Sequence, residues 1–195
     1  MRDSKKADRK AAIQNAALEL FSQLGFAKTP ISLIAENAGL GTGTLYNYFR
    51  TKGDILFSII EKRSSEYVDE LDFIIKNESI GLIESLMQFH ASYLQSFSLY
   101  NKLIWRECMA SIFSGDTELM KRIYEIDRPY LERLVALLVK FQKMGVIRKQ
   151  ANIDGMITTL YSADMYAIIS YIADENMTLA TLKNRLAIHA ELITG

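Results

Sequence analysis

The sequence predicts an all-α fold, and three features of the chain support this prediction. Proline occurs twice and glycine ten times among 195 residues, so few positions interrupt a helix. Apolar residues recur at three- and four-residue spacings through most of the chain, which is the period of an amphipathic helix. No segment alternates apolar and polar residues over more than five positions, as a half-buried strand would.

The helices follow from this period and from the residues between them. Gly25 ends the first helix at the position of a left-handed cap. Thr29 is expected to cap the second helix, and Pro30 to occupy its first position. Pro129 is expected to kink or break a long helix near the middle of the chain. The predicted helices cover residues 8–24, 30–38, 42–49, 54–76, 79–97, 100–113, 117–144, 153–173 and 178–193.

Composition excludes several classes of protein. Apolar residues make up 49% and charged residues 24%, which is typical of a globular protein and too apolar for a disordered chain. No run approaches 18 uncharged apolar residues, and the N-terminus MRDSKKADRK has no apolar signal region, so membrane and secreted classes are not expected. The single cysteine, Cys108, fits a reducing cytoplasm.

Charge is divided unevenly along a chain whose net charge is zero. Residues 1–63 contain ten Lys/Arg and six Asp/Glu, a net charge of +4, and residues 64–195 contain thirteen and seventeen, a net charge of −4. Four charges in 63 residues is a modest excess that also arises by chance. A basic N-terminal part next to an acidic remainder nevertheless favours a polyanionic partner for the first part.

The second and third predicted helices have the features of a helix-turn-helix. Both are short, and a glycine-containing turn over residues 39–41 joins them. Leu45 and Phe49 lie on the inner face of the third helix, which leaves the opposite face for the DNA major groove. The residues expected to face outward are small or polar, and a basic segment follows them; they are Thr42, Gly43, Thr44, Tyr46, Asn47, Tyr48, Arg50 and Lys52.

The runs AALELFSQLGF (16–26) and IAENAGLGTGTLYNYFRTKGDIL (34–56) resemble the DNA-binding domain of TetR-family transcriptional regulators. The resemblance covers residues of about 9–60, and it departs from the family pattern at Gly41 and Pro30, where the family often has serine and threonine. It implies a DNA-binding domain over residues 1–53, with its motif at about 31–50, and a helical effector-binding and dimerisation domain over 54–195. It further implies a homodimeric regulator, most often a repressor, that binds a palindromic double-stranded DNA operator in the cytoplasm.

The resemblance also assigns roles to individual side chains. Tyr46, Tyr48 and Lys52 would bind phosphates. Thr42, Gly43, Thr44 and Asn47 would face base edges. Because the third helix carries no arginine or lysine, we expect half-sites rich in A·T pairs, with Asn47 on adenine and threonine methyl groups on thymine.

Aromatic and polar side chains are dense in two later segments, 89–113 and 161–171. They form either an ordinary helical core or a cavity for a small lipophilic or aromatic effector whose polar groups meet hydroxyl, imidazole and indole tips. TetR-like regulators commonly hold an inducer in this part of the chain. The predicted ligand residues are His90, Tyr93, Trp105, Cys108, Met109, Tyr161 and Met165; the same clusters contain Phe89, Phe97, Tyr100, Phe113, Tyr166 and Tyr171.

Helix 153–173 is apolar on nearly every face, so it needs cover on two sides. Its own domain covers one side, and either a partner subunit or further internal packing covers the other. With the last helix, 178–193, it would form a four-helix dimer seam.

The sequence contains no catalytic or metal-binding signature. His90, His189 and Cys108 lack metal-ligand spacing, and neither a phosphate loop nor a nucleophile elbow occurs. We therefore expect no enzyme activity, cofactor, metal or membrane partner. The alternative to a regulator is a small-molecule-binding or structural helical protein whose DNA domain has lost its function.

Overall fold

The computed structural model describes residues 2–98, 101–112 and 117–194, and within these ranges the regular secondary structure is entirely α-helical. The all-α prediction is confirmed. The helices are α1 (Arg2–Leu24), α2 (Ile31–Asn37), α3 (Thr42–Tyr46), α4 (Lys52–Glu66), α5 (Val68–Lys76), α6 (Leu82–Ser98), α7 (Lys102–Ile112), α8 (Thr117–Lys143), α9 (Ile153–Ala173) and α10 (Leu179–Thr194).

A first compact unit comprises residues 1–63 and 100–120. Helix α1 packs against α2 and α7, and α2 packs against α3. Phe21, Ile34, Leu45 and Ile55 are fully buried there. The contacts divide the chain near residue 63 rather than after residue 53, and they place α7 with the N-terminal helices.

The first turns of α4 belong to this unit because a buried hydrogen bond holds them to α1. The Gln14 side-chain amide donates to both the carbonyl and the hydroxyl oxygen of Ser58, each at 3.0 Å. Such a bond between buried polar groups is costly to break, since an unpaired group would remain.

A second compact unit comprises residues 64–99 and 121–195. Helix α10 packs against both α9 and α6, and α5 packs against α6. Its fully buried side chains include Leu86 and Phe89 of α6, Leu134 and Leu138 of α8, and Leu182 of α10. The Arg133 guanidinium binds the Asp72 carboxylate through two hydrogen bonds, of 2.8 and 3.3 Å, and so joins α8 to α5.

The start of α2 differs from the prediction. Gly25 has the expected positive φ of 82° after α1, but Pro30 rather than Thr29 is the N-cap of α2. Thr29 is fully buried, and its hydroxyl donates instead to the Gly25 carbonyl at 2.7 Å. The predicted cap is therefore wrong: α2 begins one residue later than a Thr29 cap requires, and the buried Thr29 side chain bonds to carbonyls at the end of α1 instead.

Two longer helices also differ from the prediction. The segment predicted as one helix over 54–76 is two, with Tyr67 (φ −91°, ψ −5°) between them. Ser64 and Ser65 precede this break, and serine has a lower helix propensity than alanine or leucine because its hydroxyl competes for backbone groups. Helix α8 runs through Pro129 without a break, so the predicted break is wrong, while the alternative of a kink stays a prediction. A proline removes one helical hydrogen bond, and buried Ile126 and Tyr130 on either side hold the helix in the core.

Candidate DNA-binding surface and effector cavity

Helix α3 is anchored from one side and open on the other. Leu45 is fully buried and Phe49 is 5% exposed, so together they fix the helix on the first unit. Gly39, in the turn before it, has a φ of 68°, a conformation that glycine adopts without strain. Gly41 is the N-cap of α3, without a side-chain hydrogen bond.

The predicted DNA contacts lie on the open side of α3 and just after it. Thr42, Gly43 and Asn47 are exposed, and 51% of Tyr46 is accessible. Thr44 and Tyr48 are half-buried, and Arg50 is exposed. The structure thus brings six of the seven predicted contacts together around one short helix. Their contacts with DNA stay predictions.

Lys52, the seventh predicted contact, has a position that the sequence did not indicate. Its ammonium group donates to the carbonyls of Phe26, Ala27 and Thr29, with distances of 3.3 and 2.9 Å for the last two. It also lies 4.5 Å from the centre of the Phe26 ring, and partial burial lowers its pKa. Lys52 therefore joins the start of α4 to the loop between α1 and α2. A phosphate contact for this residue stays a prediction.

The same helix start carries a reciprocal cap. The Thr51 backbone N–H donates to the Asp54 carboxylate, and the Asp54 N–H donates to the Thr51 hydroxyl, both at 3.0 Å. This is a capping box with aspartate in place of the usual glutamate. The cap fixes the direction in which α4 leaves the helix-turn-helix.

A small cavity of about 10 Å³ lies inside the second unit. Four of the seven predicted ligand residues line it: His90, Tyr93, Tyr161 and Met165. The sequence analysis missed its other lining residues, which are Tyr130, Asp164, Ile168 and Leu186.

A buried carboxylate joins the two histidines of the chain at this cavity. Asp164, 6% exposed, accepts from His90 Nε2 at 2.8 Å through Oδ2 and from His189 Nδ1 at 2.9 Å through Oδ1. The only sequence signal for this cluster was an acid at the edge of an apolar run. The Nδ1 atom of His90 is buried and has no hydrogen-bond partner among the described residues.

A second buried carboxylate, Asp127, binds two of the lining tyrosines. The hydroxyl of Tyr161 donates to Asp127 Oδ2 at 2.5 Å, and that of Tyr93 donates to Oδ1 at 3.4 Å. Burial raises the pKa of Asp127, and the two tyrosine hydrogen bonds lower it in part. Burial beside Asp127 raises the pKa of both tyrosines. The hydroxyls consequently stay protonated and act as donors.

The remaining three predicted ligand residues, Trp105, Cys108 and Met109, are on α7 in the first unit and do not line this cavity. Trp105 and Cys108 are buried, and burial raises the pKa of the Cys108 thiol to about 12. Of the other aromatic positions, Phe89 is fully buried and Tyr166 is 72% exposed. Tyr100, Phe113 and the side chain of Phe97 lie outside the described residues.

Helices α9 and α10 each carry large apolar side chains that are exposed. Ile168 and Ile172 point into the second unit and are nearly fully buried, whereas Tyr166 is 72% and Ile169 is 44% exposed. On α10, Ile188 and Leu192 are 53% and 76% exposed. Within the described ranges, no three His, Cys, Asp or Glu side chains are grouped to hold a metal ion. No helix in that part of the chain is long and apolar enough to cross a membrane.

The short α3 packs against α2, which packs against α1, and this arrangement is that of a helix-turn-helix, a DNA-binding motif. The family model of bacterial regulatory proteins of the tetR family matches residues 13–59, which include all of this motif. Over these residues the chain is similar to the DNA-binding region of tetR-family regulatory proteins.

Relatives are similar over most of the chain. The fatty acid metabolism regulator protein of Bacillus subtilis (strain 168) is 26% identical over 146 residues, which is 72% of each protein. The structure of the transcriptional regulator FadR from Bacillus subtilis in complex with stearoyl-CoA superposes with a TM-score of 0.73 and 22% identity, covering 95% of this chain and 97% of the other. That of Thermus thermophilus FadR, a repressor in complex with lauroyl-CoA, superposes with a TM-score of 0.72 and 19% identity, covering 94% and 92%. These likenesses support the same fold along the whole chain.

Proposed function

We propose that this regulator is a homodimeric repressor that binds a palindromic operator and leaves it when a small lipophilic effector binds the second unit. The observation that carries the DNA-binding part is α3, whose apolar side is buried while its small and polar side is exposed. A helix of this kind fits the major groove, and a dimer presents two such helices to two half-sites. The proposed place of action is the cytoplasm, where the DNA lies, and no catalytic step is part of the proposal.

The DNA-binding part is tested by selecting operators from a random double-stranded DNA pool. We expect a palindrome with A·T-rich positions beneath α3, since Asn47 suits adenine and the methyl groups of Thr42 and Thr44 suit thymine. Asn47→Ala should relax the preference at one position by about 1–3 kcal/mol. Invariant G·C pairs that are insensitive to Asn47→Ala would show that other side chains read the bases.

The dimeric part rests on the large apolar side chains that α9 and α10 leave exposed, which are Tyr166, Ile169, Ile188 and Leu192. Ile169→Lys places a charge on this outer surface, so it should give a folded monomer in sedimentation. Ile168→Lys is the internal comparison, because this neighbour is 1% exposed inside the subunit and its replacement should unfold the protein instead. A soluble dimer of the Ile169→Lys variant would exclude this face as the seam.

The effector part rests on the cavity in the second unit and on relatives that bind long-chain acyl-CoA. A cavity of about 10 Å³ is at the lower limit for a single water molecule, so a ligand must widen it. Helices α6, α8, α9 and α10 all contribute lining residues, and widening would therefore move α9 and α10, which carry the proposed seam. Such a movement favours one dimer geometry over another and is a population shift.

Fluorescence anisotropy of a labelled operator tests whether an effector releases the protein from the DNA. Long-chain acyl-CoA thioesters are the first probes, and coenzyme A without an acyl chain is the control. We expect the acylated probes to weaken operator binding and free coenzyme A to leave it unchanged. The alternative, a helical binding or structural protein with an inactive DNA domain, requires that no palindrome be selected from the pool.

A further inference from the structure

Most of the polar groups that line the cavity are hydrogen-bond acceptors, because their partners fix the positions of their hydrogens; the Tyr130 hydroxyl, which also lines it, can donate as well as accept. The Tyr93 and Tyr161 hydroxyl hydrogens point to Asp127, so what remains on these oxygens are lone pairs. Asp164 presents carboxylate oxygens, which only accept. Among the described residues that line the cavity there is no lysine or arginine.

His90 adds a further acceptor. Because Asp164 accepts, His90 Nε2 must carry a hydrogen, and in a neutral imidazole the other nitrogen, Nδ1, then carries a lone pair. His189 Nδ1 lies 2.9 Å from the second carboxylate oxygen, so both oxygens of Asp164 are paired with an imidazole. The buried Nδ1 of His90 is left without a partner among the described residues.

We propose that this cavity binds a hydrogen-bond donor, a hydroxyl or amino group, carried by the buried end of a lipophilic ligand, with His90 Nδ1 as its acceptor. The inference rests on the proposed effector function and narrows its ligand class. An unpaired buried acceptor is costly, and a donor of the size of one heavy atom satisfies it within the space present. Two buried carboxylates disfavour a ligand carboxylate at the same place. Met165, whose side chain is adaptable, lines the same cavity and can make room for the apolar part.

The test compares three probes with one decyl chain: 1-decanol, decylamine and decanoate. Calorimetry measures their dissociation constants for the full-length protein at neutral pH. We expect the alcohol and the amine to bind at least about tenfold more tightly than the carboxylate, because a site built for a donor rejects ligands that leave its acceptors unpaired. In His90→Phe this preference should fall to within about threefold.

The matched control is His189→Phe. It removes the other imidazole from Asp164, but His189 does not line the cavity, so the donor preference should persist. A preference lost equally in both variants would assign it to Asp164 rather than to His90 and would overturn the proposal. An equal or tighter affinity for decanoate would overturn it as well.

Nitrogen NMR of the unmodified protein gives a readout that does not depend on a variant's folding. The chain contains two histidines, so selective ¹⁵N labelling yields a simple spectrum. We expect a neutral Nε2–H tautomer for His90 and a change of its Nδ1 resonance on binding 1-decanol. A protonated His90, or an Nδ1 resonance that decanol leaves unchanged at saturation, would refute the assignment. If the probes bind and release DNA without donor preference, only this inference fails. If no decyl probe binds while acyl-CoA thioesters release the operator, this inference fails and the effector function stands; if neither kind of probe binds, both fail.

Discussion

Replacing Lys52 by methionine separates an internal role from a DNA contact. The substitution keeps most of the apolar stem but removes an ammonium group that donates to three carbonyls and lies 4.5 Å from the Phe26 ring centre. Charged hydrogen bonds contribute about 1.5–3 kcal/mol when buried, and this group is only partly buried. We therefore expect a loss of about 2 kcal/mol in the free energy of unfolding. For a chain of this length the melting temperature should fall by about 4–8 °C.

The assay pairs thermal unfolding with operator binding at several salt concentrations. A lysine that is used internally should lower the melting temperature and leave the salt dependence of binding unchanged. A phosphate contact contributes about 0.9 to the slope of log K against log salt for each subunit. Arg50→Met is the matched control, because this exposed cation should affect the salt slope without affecting melting. Unchanged melting of Lys52→Met with a slope reduced by about 0.9 per subunit would refute the internal role.

Three further outcomes follow from the burial and pairing of single residues. Native Cys108 should not react with a thiol reagent at mildly alkaline pH, since burial raises its pKa to about 12, and labelling should begin only on unfolding; stoichiometric labelling of folded protein would contradict this. Because the pKa of Asp127 is raised, the folded state retains a proton that the unfolded state loses near pH 3.8. The contribution of Asp127 to the free energy of unfolding should therefore decline as pH rises through the pKa of the folded state. Urea unfolding of Asp127→Asn across this pH range should lack the decline. Arg133→Ala should cost about 1 kcal/mol in urea unfolding by releasing α5 from α8, and an unchanged midpoint would show that the Asp72 pair contributes nothing.

Local sequence patterns predicted most of the helices and the face of α3. The bounds of α9 agree with the prediction because the residues that cap it, Asn152 and Asp174, stand directly beside the helix in the sequence. Helical period alone predicted that Leu45 and Phe49 are buried and that Asn47 lies on the exposed face. Such signals depend on neighbours one to four positions away, so they can be recognised in the sequence without knowledge of the tertiary structure.

The tertiary structure decided which distant polar groups meet. Lys52 binds carbonyls 23 to 26 residues earlier, and Asp164 joins His90, 74 residues away, to His189, 25 residues away. Helix α7 has an ordinary amphipathic sequence, and only packing groups it with α1. Helical period specifies that a side chain is buried but not the partner it is buried against, because that partner is set by how whole helices pack. The sequence by itself therefore determined an all-α chain with a helix-turn-helix similar to that of TetR-family regulators, and the packing of α6, α8, α9 and α10 determined the polar cavity.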